Sequence, residues 1–367
     1  MKKKIAIVRG KFLNKYEMQF FEPLTAHFDI TAFGSLTPYH DQFAFPVVKL
    51  PGLMDLPDFP YKIPLFNRLF VDAHYLLGLE RRLKGFDLVH TAETYYHYTQ
   101  QCLNAKKKGY VKRVIATVLE NIPFNNEGIR GRSAFKARAR AELDHIIALT
   151  KKTKAALILE GTDPQKITVI GHFINTARFF PRPRKANNLV ILYVGRLEWY
   201  KGIFDFIEAA KMLRHDPRLI FRVVGDGSAL KKIPDWIQVG HARYDEMPRI
   251  YHGADIFVAP SKPRTNVVRG KPTPTWEEQY CTALLEAQAC GLAIVTTRTG
   301  GLPENIGDAG LIVEPGNVSA IAEALKSYIL SPKKRLEFAK KARTRALTVH
   351  DARIGAKKLA ALYTSLI

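Results

Sequence analysis

Two carboxylates, Glu278 and Glu286, stand eight positions apart in the stretch TWEEQYCTALLEAQACGLAIVTTRTGGLP, residues 275–303. Thr282 to Ala289 are good helix formers with Leu284 and Leu285 on a buried face, and Gly291 is a stop. Glu278 falls just before that helix and Glu286 about a turn and a half inside it. A helix start offers unpaired N–H groups and the positive end of the macrodipole, so an anion sits there between two acceptor carboxylates. A diphosphate with hydroxyl-rich rings at both ends has that shape, as in a nucleotide sugar. Arg196 and Lys201 flank a turn earlier in the chain. Arg offers phosphate a planar fork and Lys a compact charge. Placed opposite the helix start, the pair would hold a diphosphate and offset charge growing on it as a sugar leaves. Basic residues in turns are usually just solvated, so spacing alone does not assign this role.

The elements that must position these residues follow from periodicity. Leu292 to Thr297 reads as a buried strand, with a turn at Gly300 and Gly301. Upstream, Leu189–Val194, Leu219–Val224, Trp236–Val239 and Ile256–Ala259 are strands. Helices are expected through Phe204–Leu213, near Asp245–His252 and over Val318–Leu330, with a basic helical tail from Pro332. Ser261 to Pro274 reads as a long polar loop. The first half repeats the alternation, with strands at Ile5–Val8, Phe28–Phe33, Pro46–Leu50, Asp87–His90, Val111–Val118, Ile146–Leu149 and Ile167–Ile170. Strands alternating with helices signal parallel α/β sheets. PRPRKANN, residues 181–188, has the composition of a linker. The expected domains are 1–183, with a C-terminal helix of about 351–367 packing back onto it, and 184–350.

The first half carries weaker candidates. Gly10 follows the first strand, where a glycine lets backbone approach a ligand, although a tight turn explains it equally. His90 and Glu93 are expected at the carboxyl end of a parallel strand, where open α/β sheets bind ligands. A lone His there is more often structural. Residues 51–64, PGLMDLPDFPYKIP, are apolar for a loop and either pack under a helix or stand exposed as an acceptor or membrane contact. Residues 65–84 read as one helix. Arg132, Lys136, Arg138 and Arg140, with Lys106, Lys107, Lys108, Lys112 and Arg113, would make a basic face towards anionic lipid; a solvated helix face is the simpler reading.

The chain of 367 residues is too long for one ordinary domain. No apolar run approaches the ~20 residues of a membrane span, and the apolar run in MKKKIAIVRG is a strand, not a secretion signal. Three cysteines, Cys102, Cys281 and Cys290, lack metal-ligand spacing and point to a reducing cytoplasm. The formal charge of +22 is spread over both halves. It fits nucleic acid, anionic lipid or a phosphorylated substrate without choosing among them.

Five segments, in order, resemble the retaining glycosyltransferases of family 4: VIGHFINTARFF (169–180), ILYVGRLEWYKG (191–202), VVGDGSAL (223–230), DIFVAPS (255–261) with EQYCTALLEAQACGLAIV (278–295), and TGGLPENIGDAGLIVEPGN (299–317). Glu278 and Glu286 match the family's E-x7-E motif. The resemblance covers 165–330 and is weak over 1–160. It implies an α/β GT-B fold, two Rossmann-like parallel-sheet domains facing each other across a cleft. It implies that Glu278 holds donor-sugar hydroxyls, Glu286 the ribose hydroxyls, and Arg196 and Lys201 the diphosphate. Backbone N–H groups of Tyr280, Cys281, Thr282 and Ala283 would meet sugar and phosphate, with Gly225 and Gly227 near the base. Transfer would retain anomeric configuration with no metal and no cofactor, from a nucleotide sugar to a glycan or lipid-linked acceptor, in the cytoplasm or at the inner membrane face. Departures are Cys281 where the family's E-x-F-G has Gly, Phe173 and Asn175 for a Gly and an Asp, and Ala92 where a His is frequent. Another frequent His falls near Leu119-Glu120, so Glu93 or Glu120 would substitute on the acceptor side.

Other readings are a sugar-nucleotide epimerase or phosphorylase of the same fold, a silent nucleotide-sugar binder, and a nucleic-acid-binding protein. No recognition helix or RNA-type aromatic signature supports the last, and no nucleic acid is expected as a partner.

Overall fold

A computed structural model of the chain describes residues 2–184, 186–268 and 271–367, with side chains at 267, 268, 271 and 272 also outside the description. The chain divides into two compact units, Met1–His172 with Ala352–Ile367, and Phe173–Asp351. The division falls ahead of the 181–188 stretch.

The first unit is built on β1 (Lys4–Gly10), β2 (Asp29–Gly34), β3 (Val47–Lys49), β4 (Leu88–Ala92), β5 (Arg113–Val118), β6 (His145–Ala148) and β7 (Ile167–Val169). Their order is β3-β2-β1-β4-β5-β6-β7, with every pairing parallel. Helices cover both faces of such a sheet, so its strands are continuous apolar runs. Ile5, Ala6, Ile7 and Val8 are accordingly all fully buried. The second unit has β8 (Leu189–Val194), β9 (Leu219–Val224), β10 (Gln238–Gly240), β11 (Ile256–Ala259), β14 (Ala293–Thr297) and β15 (Leu311–Val313) in the order β10-β9-β8-β11-β14-β15. That sheet is also parallel throughout. Between β11 and β14 the antiparallel pair β12 (Arg264–Val268) and β13 (Lys271–Trp276) stands apart from it.

Both sheets thus share the doubly wound Rossmann order. The chain reverses direction between β1 and β4 in one and between β8 and β11 in the other. Such sheets bind ligands at the carboxyl ends of the strands flanking the reversal. Residues 11–12 and 93–96 follow one pair of strands; residues 195–201 and 260–262 follow the other.

Several expectations change. Residues 65–84 are two short helices, Lys62–Phe70 and Leu79–Arg82. Val71 (φ 67°) and Gly78 (φ 76°) break the run, and Asp72 between them accepts the N–H groups of His74 and His97 at 3.0 Å each. Residues 261–274, read as a loop, contain β12 and most of β13. The apolar stretch read at 51–64 is exposed rather than covered. Leu56, Phe59, Tyr61 and Ile63 lie open, and Leu65, Leu69, Phe70 and Leu77 extend the surface beyond it.

Part of the basic cluster is an internal network. Lys136 is buried and bonds Glu160 at 2.6 Å and Glu127 at 3.1 Å. Arg140 reaches the other oxygen of Glu160 at 3.0 Å, and the buried Arg132 reaches Asp72 at 3.2 Å. Arg138 pairs with Glu142, Lys106 and Arg113 with Asp144, Lys108 with Glu80, and Lys112 with Asp87. Lys136, Arg132 and Arg140 thus serve buried carboxylates rather than a lipid-facing surface, whereas Lys107, Lys108, Lys112 and Arg113 stay exposed.

Candidate functional site

The second unit gathers its predicted residues around Glu278. Lys201 lies on a single 3-10 turn, Trp199–Lys201, between β8 and the helix Ile203–Leu213. Its Nζ is 2.6 Å from Glu278 Oε2, which also accepts Ser261 Oγ at 2.8 Å. Glu278 is buried, so the ion pair is shielded from water. Lys201 Nζ lies 4.6 Å from the ring centroid of Trp276. Trp276 packs on Tyr200 at 4.6 Å, and the exposed Arg196 lies over Tyr200 at 5.6 Å. One aromatic pair therefore carries both predicted cations.

Backbone contacts hold this arrangement. The Glu278 carbonyl accepts the N–H of Gly301 at 2.8 Å. Gly300 adjoins it with φ +52°, and a Cβ there would stand 1.9 Å from the same oxygen. Gly225 is required in a similar way, since its Cβ would meet the Gly195 carbonyl at 2.0 Å. Gly225 and Gly227 are thus fitted to the 195–197 turn that carries Arg196.

The helix Thr282–Ala289 begins where the spacing predicts. Asn305 fixes its approach, its side chain donating to the Tyr280 carbonyl and accepting Gln288 Nε2 at 3.0 Å. Thr282 and Ala283 open the first turn, where N–H groups lack intrahelical partners. Cys281, at the cap, has φ 57°. Burial, helped by the Glu278 charge, pushes its thiol up to about 12, which disfavours the nucleophilic thiolate near neutral pH.

Glu286 is buried within this helix, and Tyr251 Oη donates to its Oε2 at 2.6 Å. Its Oε1 has no hydrogen-bond partner among the described residues. Burial pushes this carboxyl up to about 7, against the Tyr251 hydrogen bond and the Arg178 charge.

In the first unit, Gly10 ends β1 at φ +55°, with the Tyr98 ring 3.4 Å from where its Cβ would be. Glu93 follows β4 at φ 57°, a conformation costing a non-glycine residue roughly 1 kcal/mol. Its Oε1 accepts the N–H groups of Leu119 at 2.8 Å and Glu120 at 3.2 Å, while Oε2 is buried with no partner among the described residues. Burial and the Glu120 charge push Glu93 up to about 8. The Glu120 carboxyl is also raised by burial, although it accepts Ile122 N at 3.0 Å and Asn125 Nδ2 at 2.7 Å. His90 corrects its expectation. It lies inside β4, not at its end, and is fully buried. Nδ1 meets Tyr363 Oη at 2.6 Å and Nε2 meets Thr117 Oγ1 at 2.7 Å, so both nitrogens are engaged within the unit. Burial, with the Arg9 charge, holds it well below the usual histidine range, which keeps the ring neutral.

The chain is similar to known proteins. The glycosyl transferases group 1 family matches residues 175–345, and glycosyltransferase family 4 matches residues 32–178. The chain belongs to the group 1, family 4 glycosyltransferases. Glycogen synthase of Mycobacterium tuberculosis is 30% identical over 220 residues, 56% of this chain and 50% of that protein. D-inositol 3-phosphate glycosyltransferase of Actinosynnema mirum is 29% identical over 301 residues, 71% of this chain and 64% of that protein. The N,N'-diacetylbacillosaminyl-diphospho-undecaprenol alpha-1,3-N-acetylgalactosaminyltransferase of Campylobacter jejuni is 28% identical over 227 residues, 56% of each. The chain thus spans about half to two thirds of the length of these curated relatives. Among solved structures, Anabaena HepE in complex with UDP-glucose matches with a TM-score of 0.76 at 16% identity over 99% of both chains. A Rickettsia africae glycosyltransferase matches with a TM-score of 0.74 at 18% identity, over 100% of this chain and 98% of that one. At these identities the likeness is one of fold, GT-B.

For this glycosyltransferase-family chain, the departure at Cys281 has a physical reading. The position takes a left-handed backbone, which explains why the family motif has Gly there. Sequence reasoning missed Ser261, Tyr251 and Trp276. Ser261 closes the DIFVAPS segment and was within reach of a motif search. Tyr251 and Trp276 carry no spacing signal, because lone aromatics read as core.

Proposed function

We propose that the chain transfers a glycosyl group from a nucleoside-diphosphate sugar to an acceptor hydroxyl, with retention and without a metal ion. The observation that carries this reading is the buried Lys201–Glu278 pair beside the start of the Thr282–Ala289 helix. Glu278 presents a carboxylate to sugar hydroxyls. Lys201, the exposed Arg196 and the N–H groups at the helix start oppose the charge that develops on a departing diphosphate. Glu286 Oε1, a buried acceptor lacking a donor among the described residues, suits a ribose hydroxyl. HepE's complex with UDP-glucose supports a nucleotide sugar, with UDP-sugars the first to try.

A lipid-linked glycan is the acceptor class we favour, with the chain acting at a membrane surface. The Campylobacter relative's name specifies a diphospho-undecaprenol acceptor, and the exposed apolar residues between Leu56 and Leu77 suit contact with lipid. No described helix is long and apolar enough to cross a membrane.

A thermal-shift panel of UDP-, GDP- and ADP-sugars in EDTA tests donor binding, since a ligand of the folded state raises the melting temperature. NMR of the transferred product then reads its anomeric configuration. Donor-dependent stabilisation and a retained anomer are expected. No response to any nucleotide sugar overturns the reading, an inverted product overturns retention, and epimerisation of donor alone selects the epimerase alternative.

A further inference from the structure

The reversal of the first sheet holds a second cluster that the E-x7-E motif does not involve. His74 sits between two rings, with centroids 4.8 Å from Phe12 and 4.5 Å from Tyr96, and Tyr98 lies at 6.4 Å. Phe12 follows β1 and Tyr96 follows β4, so the cluster occupies the carboxyl end of both strands at the reversal. Phe12 continues to Tyr39 at 6.0 Å, and Tyr39 is 60% exposed. The cluster is thus half-buried and opens onto solvent through an aromatic face.

Asp72 holds the imidazole in one orientation. His74 Nδ1 is 3.0 Å and 3.2 Å from its two oxygens, and Asp72 also accepts His74 N, His97 N and Arg132 Nη2. Burial would raise the Asp72 carboxyl, but the hydrogen bond and charge of His74, with the N–H groups of His97 and His74, outweigh it and hold it below the usual range. An ionised carboxylate only accepts, so Nδ1 donates to Asp72. Nε2 is then left to hydrogen-bond on its own side, as an acceptor in the neutral ring and a donor in the imidazolium. Nε2 is buried and has no partner among the described residues. More than nine in ten buried polar groups are hydrogen-bonded, so an imidazole clamped at one nitrogen and left open at the other is unusual. His90 in the same unit shows the ordinary case, with both nitrogens engaged.

We propose that His74 is an acceptor-binding residue: a sugar ring of the acceptor lies against the aromatic face of Phe12, Tyr39 and Tyr96 and shares a hydroxyl hydrogen bond with His74 Nε2. This rests on the transfer reading above and adds the acceptor's chemistry, a hydroxyl-bearing ring with an apolar face. Such sites combine aromatic walls with few fixed polar groups. Asp72 is the positioning residue, because without it the ring loses its fixed tautomer.

The test uses the full chain labelled with 15N-histidine and a panel of methyl glycosides of glucose, galactose, mannose and N-acetylglucosamine. A saturable shift of the His74 Nε2 resonance is expected with at least one of them. His74→Gln should abolish that glycoside's binding, and Tyr96→Leu should weaken it by about tenfold, the scale of one aromatic contact. Circular dichroism checks that both variants melt as the parent does. No His74 shift with any glycoside, in a chain that still binds nucleoside diphosphate, overturns the subsite alone. A His74 response in a chain that binds no nucleotide sugar leaves the subsite and overturns the transfer reading.

Discussion

Lys136 Nζ lies 2.6 Å from Glu160 Oε1, and both side chains are almost wholly buried. The pair ties the helix Arg132–Glu142 to the end of the helix Lys151–Leu159. Glu160 also accepts Arg140 at 3.0 Å and the N–H of Phe124 at 2.7 Å. Removing the cation leaves Glu160 buried and undercompensated. Lys136→Ala is expected to destabilise the fold by about 3–5 kcal/mol, whereas the exposed Lys112→Ala should cost under ~1 kcal/mol. Urea unfolding followed by circular dichroism separates the two; equal small effects contradict the internal network.

Vesicle binding gives a second expectation. If the apolar surface rather than the basic helix contacts lipid, the combined variant Leu65→Ser, Leu69→Ser, Phe70→Ser should lower co-sedimentation with anionic vesicles at least ~10-fold, given ~0.8 kcal/mol per buried methylene. Arg138→Gln should leave it nearly unchanged. The opposite order contradicts the membrane assignment.

The pH dependence of stability reports on Glu93. Its carboxyl titrates at about 8 when folded, above its ordinary 4.5. Between those values the folded state holds a proton that the unfolded chain has released. Stability is therefore greatest below about 4.5 for this group and falls as pH rises towards about 8. Glu93→Gln keeps an oxygen for the Leu119 and Glu120 N–H groups without the charge. Denaturant midpoints from pH 5 to 8 should fall less steeply in Glu93→Gln than in the parent; identical slopes contradict the burial of an ionisable group there.

Much of the second unit was legible before its structure. The helix Thr282–Ala289 and the strand ending at Thr297 follow from periodicity and Gly291, and the acid spacing marks the site. The first unit was less so, for reasons of context. A run of Arg and Lys on a helix looks alike whether it faces water or buried carboxylates, and Glu160, partner of Lys136, lies 24 positions away. His90 reads as a strand-end ligand until Tyr363, 273 positions on, is seen on its ring. The single helix expected over 65–84 fails because Val71 adopts a positive φ that no propensity anticipates. His74 drew no notice, since its meaning comes from Asp72 and two rings that only the fold assembles.

The central claim is that Lys201 and Glu278 act together on a nucleotide sugar. Steady-state kinetics of Glu278→Ala, Lys201→Ala and the double variant, on whichever donor stabilises the parent, tests it most directly. Each single change should lower kcat/KM by at least ~10²-fold, the scale of losing one preorganised charge contact. The double variant should lose much less than the product of the two, because residues in direct contact couple. Single variants that turn over donor as the parent does contradict the account.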